Sequence, residues 1–148
     1  MTLVRDPHHT DEAEWRRLWS GYNSFYKARI PEAVTTCTWQ RMLDPKSAIF
    51  GRLAVIETAV VGFTVSVLHE GTWTTAPICY LEDLFVDQNC RGRGLGRLLL
   101  RDLMDRARTQ GWSRLYWHTE KTNPARSLYD EFVGADDFVR YRVVLSDN

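Results

Sequence analysis

Apolar residues recur at helical spacing in the first quarter of the chain. A helix is predicted over residues 10–26, where one face carries the apolar positions Trp15, Leu18, Trp19, Tyr22 and Tyr26. Asp11 and Glu14 stand at the spacing of an N-terminal capping box for this helix. A second, weaker helix is predicted from Pro31 to Leu43, since proline suits a first helical turn while the threonines and valine that follow lower the propensity.

Runs of β-forming residues come next. A short first strand is predicted at residues 3–5, and two runs between Ala48 and Leu68 flank a tight connection near Thr58, which indicates an antiparallel hairpin. Residues 78–86 form a further apolar strand, but two acidic side chains interrupt it. The strand is therefore unlike an ordinary core strand.

The second half of the chain alternates helices and strands. After a glycine-rich loop, Leu95, Leu99, Leu103 and Ala107 share one face of a helix that Gly111 ends. A strand over 114–119, a short helix from Pro124 and a last strand over 137–145 follow. This order predicts an α/β fold around a mixed sheet with flanking helices, in which a right-handed crossover runs through the glycine-rich helix.

Composition limits the classes of function. The 148 residues are 44% hydrophobic and 26% charged, which suits one soluble domain over 1–148. The formal net charge is +0, so no overall field favours nucleic acid or an anionic membrane as a partner. No apolar stretch reaches the length of a membrane span, and the first residues lack a signal-peptide pattern. A cytoplasmic location is therefore expected.

The cysteines and histidines do not form a metal-binding pattern. Cys37, Cys79 and Cys90 are irregularly spaced, and the four histidines share no ligand spacing with them or with each other. We expect reduced thiols, no metal and no cysteine nucleophile.

The loop before the third predicted helix carries a phosphate-binding pattern. It joins an apolar strand to an amphipathic helix, so free N–H groups and the positive helix end could hold a phosphate, and glycine lets the backbone approach closely. The spacing differs from dinucleotide and nucleotide-triphosphate motifs. The alternative is a flexible loop with a helix cap. The loop and the start of the helix that carry this pattern comprise Arg91, Gly92, Arg93, Gly94, Leu95, Gly96 and Arg97.

The two acids in the apolar strand, Glu82 and Asp83, suggest a cleft or an edge, because a buried carboxylate is costly unless paired. Their functional interpretation is recognition of a cationic amine, and the alternative for Glu82 is a salt bridge to a surface arginine. On a regular strand they point to opposite faces unless a bulge re-aims them. A carboxylate near pKa 4 is mismatched by about six units with an alkylammonium near 10, so we expect Glu82 mainly to bind and orient the amine, or to remove its proton through water.

The strand and loop together resemble the GNAT N-acetyltransferases, in the branch of the diamine acetyltransferases and the fungal acetyltransferases of polyamines, histones and D-amino acids. The resemblance covers nearly the whole chain and implies a mixed sheet of about seven strands. It implies that acetyl-coenzyme A binds with its pantetheine along a splayed strand, at Leu84, Phe85 and Val86. The coenzyme pyrophosphate would lie on the amides of the loop from Arg91 to Arg97.

A second segment, 125–129, resembles the family's helix whose tyrosine lies near the coenzyme sulfur. By this resemblance Tyr129 is the candidate acid, and its alternative is a core tyrosine. Proton transfer from such a tyrosine to the thiolate would be uphill by about 2 kcal/mol, so a hydrogen bond without full transfer is equally open. Asn123 stands six residues before Tyr129 instead of the family's seven, so it is a candidate coenzyme contact or a helix cap.

These residues predict an enzyme that moves acetyl from acetyl-coenzyme A to a primary amine of a polyamine, diamine or amino acid, by direct attack in a ternary complex. An acetyltransferase of a protein lysine or N-terminal tail, and a non-catalytic coenzyme A sensor, are the alternatives. The resemblance also implies a homodimer. Whether Tyr22, Phe25, Tyr26 and Trp73 line the acceptor cleft or belong to the core stays open.

Overall fold

The computed structural model describes residues 1–146, and these form two compact units. The first unit runs from Met1 to Trp117, and the second begins at His118. The last two residues of the domain predicted over 1–148 lie outside the described residues.

The first unit contains a five-stranded mixed sheet with strands in chain order. Its first four strands are antiparallel neighbours, and β5 runs parallel to β4. The strands are β1 (Thr2–Arg5), β2 (Ile49–Ile56), β3 (Ala59–His69), β4 (Ile78–Val86) and β5 (Arg114–Tyr116). The helices are α1 (Glu12–Phe25), α2 (Glu32–Leu43) and α3 (Leu95–Gln110), and the second unit contributes α4 (Arg126–Tyr129). The predicted mixed α/β class is confirmed, whereas the described residues form five strands and not about seven.

The predicted hairpin between residues 48 and 68 is confirmed. Strands β2 and β3 pair in antiparallel register around a two-residue turn, in which Glu57 has a φ of 55°. The predicted helices over 10–26, 31–43 and 95–110 are confirmed within a few residues, and Gly111 ends α3 with a φ of 76°. The spacing of apolar residues, alternating in the strands and helical in the helices, was enough to place these elements, since each buries one face in the same unit.

Two apolar clusters make up the core of the first unit. One contains the aromatic residues of α1, with Trp15 fully buried between Trp19, Trp39 and Phe63 at ring-centroid distances of 5.1, 5.3 and 6.2 Å. The other gathers apolar residues of α3, including Leu99, with partly buried residues of β4 against them. Consecutive residues of β4 therefore contribute to different clusters, which fixes the direction of its side chains.

The predicted capping box of α1 is wrong. The Asp11 carboxylate accepts two hydrogen bonds from the Arg5 guanidinium, at 2.8 and 2.9 Å, and a third from the backbone N–H of His8 at 2.7 Å. Glu14 instead forms an exposed ion pair with Arg17. The guanidinium of Arg5, at the end of β1, binds the carboxylate with two hydrogen bonds and competes better for it than the amides of the helix do. The pair fastens β1 to the start of α1.

We expect Asp11→Asn to lower the free energy of unfolding by about 1–2 kcal/mol at pH 7, because a hydrogen-bonded ion pair that is largely shielded from water is lost. The hydrogen bond from Arg5 holds the pKa of Asp11 below its usual value. Its contribution is therefore present above the unfolded pKa near 4 and disappears as the pH falls through the folded pKa. Urea unfolding at several pH values measures this. Glu14→Gln, at an exposed pair, is the control and should change stability by less than about 0.5 kcal/mol.

The second unit departs most from the sequence predictions. The helix expected from Pro124 is only the single turn α4, and residues 137–146 contain no strand although one was predicted over 137–145. Strand pattern alone does not supply a neighbouring strand, and backbone groups without a ladder partner stay with water. Among the described residues no helix is long and apolar enough to cross a membrane.

Candidate functional site

A β-bulge lies in the middle of β4, at the two acidic residues. Val65 of β3 pairs with Asp83, and the next residue, Ser66, pairs with Leu81. Glu82 is thus the extra residue on β4 and has no register partner on β3. Bulges redirect side chains, so this feature decides where the two carboxylates point.

The two acids differ in their surroundings. Glu82 is exposed, and within residues 1–146 it has no ion-pair partner, so the alternative of a salt bridge to a surface arginine is not formed. Asp83 is partly buried and accepts a hydrogen bond from the Tyr22 hydroxyl of α1. Burial raises the pKa of Asp83 to about 7, the hydrogen bond from Tyr22 opposes this rise, and the charge of Glu82 adds to it.

Tyr22 stays a hydrogen-bond donor across the usual pH range. Burial raises the pKa of the Tyr22 phenol far above its ordinary value, and the charge of Asp83 raises it further. Its ring is held edge-on to Phe63, Phe85 and Tyr26 at centroid distances of 5.9, 6.1 and 5.0 Å. The hydroxyl that faces Asp83 is therefore fixed by aromatic packing.

Phe85 and its neighbours show how β4 divides its side chains. Phe85 packs with the aromatic cluster of α1, whereas Leu84 and Val86 pack with the cluster of α3. The ring of Phe85 lies so close to Gly21 that a side chain there would come within 3.1 Å of it. The close approach of α1 to β4 brings Tyr22 to Asp83.

β4 pairs with β5 over a short stretch, because β5 has only three residues. Among the described residues the two strands pair only at Ile78, Cys79 and Tyr80 of β4, while β3 follows β4 as far as Val86. The segment 81–86 thus has one strand neighbour within the sheet. The family resemblance implies a strand splayed from its neighbour around Leu84, Phe85 and Val86, and this stays a prediction.

The glycine-rich loop begins with a 3-10 turn at Gln88–Cys90 and enters α3 at Leu95. Gly92 and Gly94 have φ angles of 78° and 77°, which favour glycine strongly. Gly94 is followed by the first turn of α3, whose N–H groups precede the first helical bond, from Leu98 N to Gly94 O at 2.9 Å. Space in front of Gly94 is open, with only Arg97 Nη1 within 4 Å of a built side chain.

The arginines of the loop surround this helix start. Arg91 and Arg93 are exposed, and Arg97 is partly exposed on the first turn of α3. Arg91 Nε donates to the Val86 carbonyl at 3.3 Å, and its guanidinium lies 5.4 Å from the ring centroid of Phe85. Partly exposed Gly96 adds no side chain, while Leu95 is buried and anchors the helix start. Positive charge, free helix amides and open space at one place suit an anionic phosphate group.

An open groove of about 510 Å³ lies between α1 and the loop end of β4. Gly21 and Phe25 of α1 line it on one side, and Phe85 and Arg91 line it on the other. An ion pair between Arg17 Nη1 and Asp87 Oδ2, at 2.8 Å, closes one wall. The groove places open volume beside both the aromatic cluster and the arginine loop.

The second unit holds the other two predicted site residues. Asn123 is 8% exposed, donates from Nδ2 to Thr119 Oγ1 at 2.8 Å, and accepts at Oδ1 from the backbone N–H of Ala125 at 2.9 Å. Asn123 thus forms a tight side-chain turn before α4, whose N-cap is Ala125 and has no side-chain cap bond. Tyr129 is the last residue of α4 and is partly exposed.

The sequence comparison decides the family. The model of the acetyltransferase (GNAT) family matches residues 13–135. The chain belongs to the GNAT acetyltransferase family. It is also 34% identical over 135 residues to the D-amino-acid N-acetyltransferase HPA3 of Saccharomyces cerevisiae, a match covering 89% of this chain and 84% of that protein. The chain is therefore a GNAT acyltransferase, and the family uses acetyl-coenzyme A.

Solved structures share the GNAT fold at lower identity. A ribosomal-protein-alanine N-acetyltransferase from Brucella melitensis superposes with a TM-score of 0.82 at 22% identity, covering 98% of this chain and 99% of that one. An aminoglycoside acetyltransferase from an uncultured soil metagenomic sample, in complex with trehalose, gives 0.81 at 18% identity, with 98% and 97% covered. At these identities the likeness establishes the fold.

The residues of the GNAT loop fit the coenzyme that the family uses. Left-handed glycines, exposed arginines and the start of a sixteen-residue helix make an anion cradle, as a pyrophosphate requires. No cluster of three or more potential metal ligands occurs among residues 1–146. The three cysteines of the chain form no disulfide among the described residues. Burial raises the pKa of Cys79 to about 11, which leaves that thiol protonated.

Tyr22 is one of the four aromatic residues that the sequence left open between the core and the acceptor cleft. Tyr22 was assigned to either the core or the acceptor cleft, and the structure shows that it belongs to the aromatic core with its ring and contacts Asp83 with its hydroxyl. Spacing on a helix reports which face is buried. It does not report that the far end of a tyrosine meets a carboxylate on another element.

Proposed function

We propose that this GNAT enzyme acetylates the primary amine of a small molecule, in a ternary complex with acetyl-coenzyme A. The observation that carries the proposal is the partly buried carboxylate of Asp83, held by Tyr22 at a bulge of the strand that leads into the arginine loop. A cationic amine needs a carboxylate for binding and a base for deprotonation, and this carboxylate suits both tasks.

The coenzyme is assigned to the splayed part of β4 and to the loop after it. Backbone groups of Leu84, Phe85 and Val86 would hold the pantetheine, and the residues from Arg91 to Arg97 would hold the pyrophosphate. The bound coenzyme supplies the acetyl thioester. The protein positions the two substrates side by side, which contributes much of the rate by removing their freedom to move apart.

The acceptor amine is assigned to the two acids of β4. We place Asp83 as the proton acceptor and Glu82, which is exposed, as a group that attracts and orients the ammonium. A carboxylate near pKa 7 lies about three units below an alkylammonium near 10, so proton transfer to it is uphill by roughly 4 kcal/mol, against about 8 kcal/mol for an unperturbed carboxylate. The lower cost favours Asp83 for this step. In the reaction the amine nitrogen bonds to the acetyl carbon as the carbon–sulfur bond breaks.

Tyr129 is proposed as the group that meets the departing thiolate, by the family resemblance of its segment. We expect Tyr129→Phe to lower kcat by about 10- to 1,000-fold while the coenzyme dissociation constant changes by less than about threefold, because the hydroxyl acts on charge that develops only during reaction. Steady-state kinetics and calorimetric binding of coenzyme A measure the two quantities. Equal losses in both would instead make Tyr129 a structural residue.

The acceptor class follows from chemistry and from a relative. The name of the Saccharomyces cerevisiae relative specifies D-amino acids, and at 34% identity an amino acid is a reasonable acceptor for this chain. Two acids on β4 would equally suit the second ammonium of a diamine or polyamine. We therefore propose amino acids and polyamines as the acceptor classes to compare first.

Thiol release from acetyl-coenzyme A across a panel tests the function. The panel holds D- and L-amino acids, diamines, polyamines and lysine peptides, with coenzyme binding followed in parallel. Turnover with free amines and little with peptides is expected. Preference for a lysine peptide by tenfold or more would make the enzyme a protein acetyltransferase, and tight coenzyme binding without turnover on any acceptor would support a coenzyme A sensor.

Four further properties stay predictions. We propose that residues 1–148 form one N-acetyltransferase domain, since the family match runs from 13 to 135 through both compact units. A cytoplasmic location and the absence of a metal are expectations from the sequence. The homodimer is likewise a proposal.

A further inference from the structure

Two tyrosines and a histidine form an aromatic group on the sheet that the proposed mechanism does not use. Tyr80 of β4 and Tyr116 of β5 are register partners, and their rings stack with centroids 5.0 Å apart and planes at 22°. The ring of His69, at the end of β3, meets Tyr116 edge-on at a centroid distance of 5.8 Å. Tyr116 is 36% exposed, so this tyrosine pair, Tyr80 with Tyr116, reaches solvent.

The tyrosine pair lies on the same face of the sheet as Asp83. Val65 pairs with Asp83, Val67 pairs with Tyr80, and residues two apart on β3 share a face. On a regular strand Tyr80 and Asp83 would point to opposite faces, but the extra residue of the bulge returns them to one face. Two residues of β3 separate the two positions, so the pair stands roughly 7 Å from Asp83. This is about the length of a butylene chain.

Hydrogen bonds fix the direction of the Tyr116 hydroxyl proton. His69 Nδ1 lies 2.8 Å from the carbonyl oxygen of Glu70, which can only accept, so Nδ1 carries the proton of the neutral imidazole. Nε2 is then the acceptor, and the Tyr116 hydroxyl donates to it at 2.9 Å. Burial raises the pKa of Tyr116, which keeps the hydroxyl protonated. Toward any other group the Tyr116 oxygen therefore acts as an acceptor.

The surroundings of the tyrosine pair suit a cationic N–H donor. Aromatic ring faces attract cations, and the Tyr116 oxygen accepts from an N–H group. Toward one end of the pair lie the carboxylates of Glu82 and Asp83. Toward the other end, Arg114 is exposed and shares the face of Tyr116, two residues further on. A cation is thus attracted as far as the pair and repelled beyond it.

We propose that the tyrosine pair is a second contact for the acceptor, which selects amines that carry a further N–H donor, above all an ammonium, about a butylene chain from the acetylated nitrogen. The first nitrogen would lie at Asp83 and the second at Tyr116 Oη. His69 is a positioning residue, because it acts by holding the Tyr116 hydroxyl in its accepting orientation. The proposal rests on the proposed function, since it needs the reacting amine at Asp83.

Matched acceptors that differ only in the second amine test the contact, with turnover followed by thiol release. In the wild type, kcat/KM for 1,4-diaminobutane should exceed that for butylamine by about 30-fold, since contacts to a cation are added. D-Ornithine, with the same spacing, should exceed D-norvaline similarly. Tyr116→Phe keeps the stacked ring and should reduce both ratios by about 10-fold. Tyr141→Phe, at a 92% exposed tyrosine, is the matched control and should leave both ratios unchanged.

His69 and the length of the acceptor provide two further checks. His69→Leu removes the acceptor for the hydroxyl proton and should lower the ratio, whereas His69→Gln offers an amide oxygen and should retain most of it. The ratio of 1,6-diaminohexane to hexylamine should be smaller than that of the shorter pair, because the second cation then approaches Arg114. Arg114→Gln should raise it.

The outcomes separate this contact from the proposed function. Turnover with both members of a matched pair at rates within about threefold overturns the contact alone, and so does a ratio that Tyr116→Phe leaves unchanged. Absence of turnover with every amine overturns the proposed function, and the contact with it. Coenzyme A affinity close to that of the wild type shows that a variant is folded. If Tyr116→Phe does not fold, the wild-type length series decides: a maximum at 1,4-diaminobutane is expected, and a flat series contradicts the proposal.

Discussion

Gly94→Val is expected to weaken coenzyme A binding by at least 100-fold. Gly94 has a φ of 77°, where a β-branched residue is strongly disfavoured, and it stands at the start of α3 between the loop arginines. Valine would move the backbone toward an ordinary φ and turn the loop amides away from a bound phosphate. It would also place methyl groups in the open space in front of the helix start. Calorimetric titration with coenzyme A measures the loss.

Gly111→Val is the matched control for this experiment. Gly111 has a φ of 76° at the other end of the same helix, and no atom lies within 4 Å of a side chain built there. Both variants should lose about 1–2 kcal/mol of stability from backbone strain. Only Gly94→Val should lose coenzyme binding. Equal weakening by both would mean that strain in α3, and not the geometry of the loop, is responsible, and the assignment of the phosphate to this loop would be wrong.

The elements that the sequence predicts well are those whose partners lie close along the chain. The hairpin of β2 and β3 needs only a tight turn and two alternating runs, and α3 needs only an apolar face and a glycine at its end. The capping box failed because Arg5, on a different element, binds Asp11. The last strand failed for a related reason: its pattern is intact at 137–145, but pairing requires a neighbour that the pattern does not supply.

The candidate site likewise contains features that the sequence predicts and features that it does not. The glycine and arginine positions of the loop follow from the sequence, because a phosphate cradle at a helix start is a local structure. The different surroundings of Glu82 and Asp83 do not, since they depend on a bulge in β4 and on Tyr22, which lies far from both along the chain. A carboxylate acquires a useful pKa from its surroundings, and those surroundings are assembled by the fold.

The second large effect is expected at Asp83. Asp83→Asn should lower kcat by about 100- to 10,000-fold, the usual contribution of a positioned base, with coenzyme affinity nearly unchanged. In the wild type, kcat/KM should rise with pH through about 7, because Asp83 accepts a proton only when it is ionised. That rise should be absent in Asp83→Asn. The second rise toward pH 10, from the acceptor amine itself, should remain in every variant and serves as an internal reference.

Two neighbouring changes should move the inflection near pH 7 in opposite directions. Tyr22→Phe removes a hydrogen bond that lowers the pKa of Asp83, so the inflection should move to higher pH. Glu82→Gln removes a negative charge that raises this pKa, so the inflection should move to lower pH, alongside any loss of amine affinity. Coenzyme binding in each variant separates these effects from misfolding. If the inflection is absent from Glu82→Gln and unchanged in Asp83→Asn, the base is Glu82. Opposite shifts are difficult to explain unless the titrating group is the one that both side chains contact, because Tyr22 and Glu82 act on Asp83 through different interactions, a hydrogen bond and a like charge.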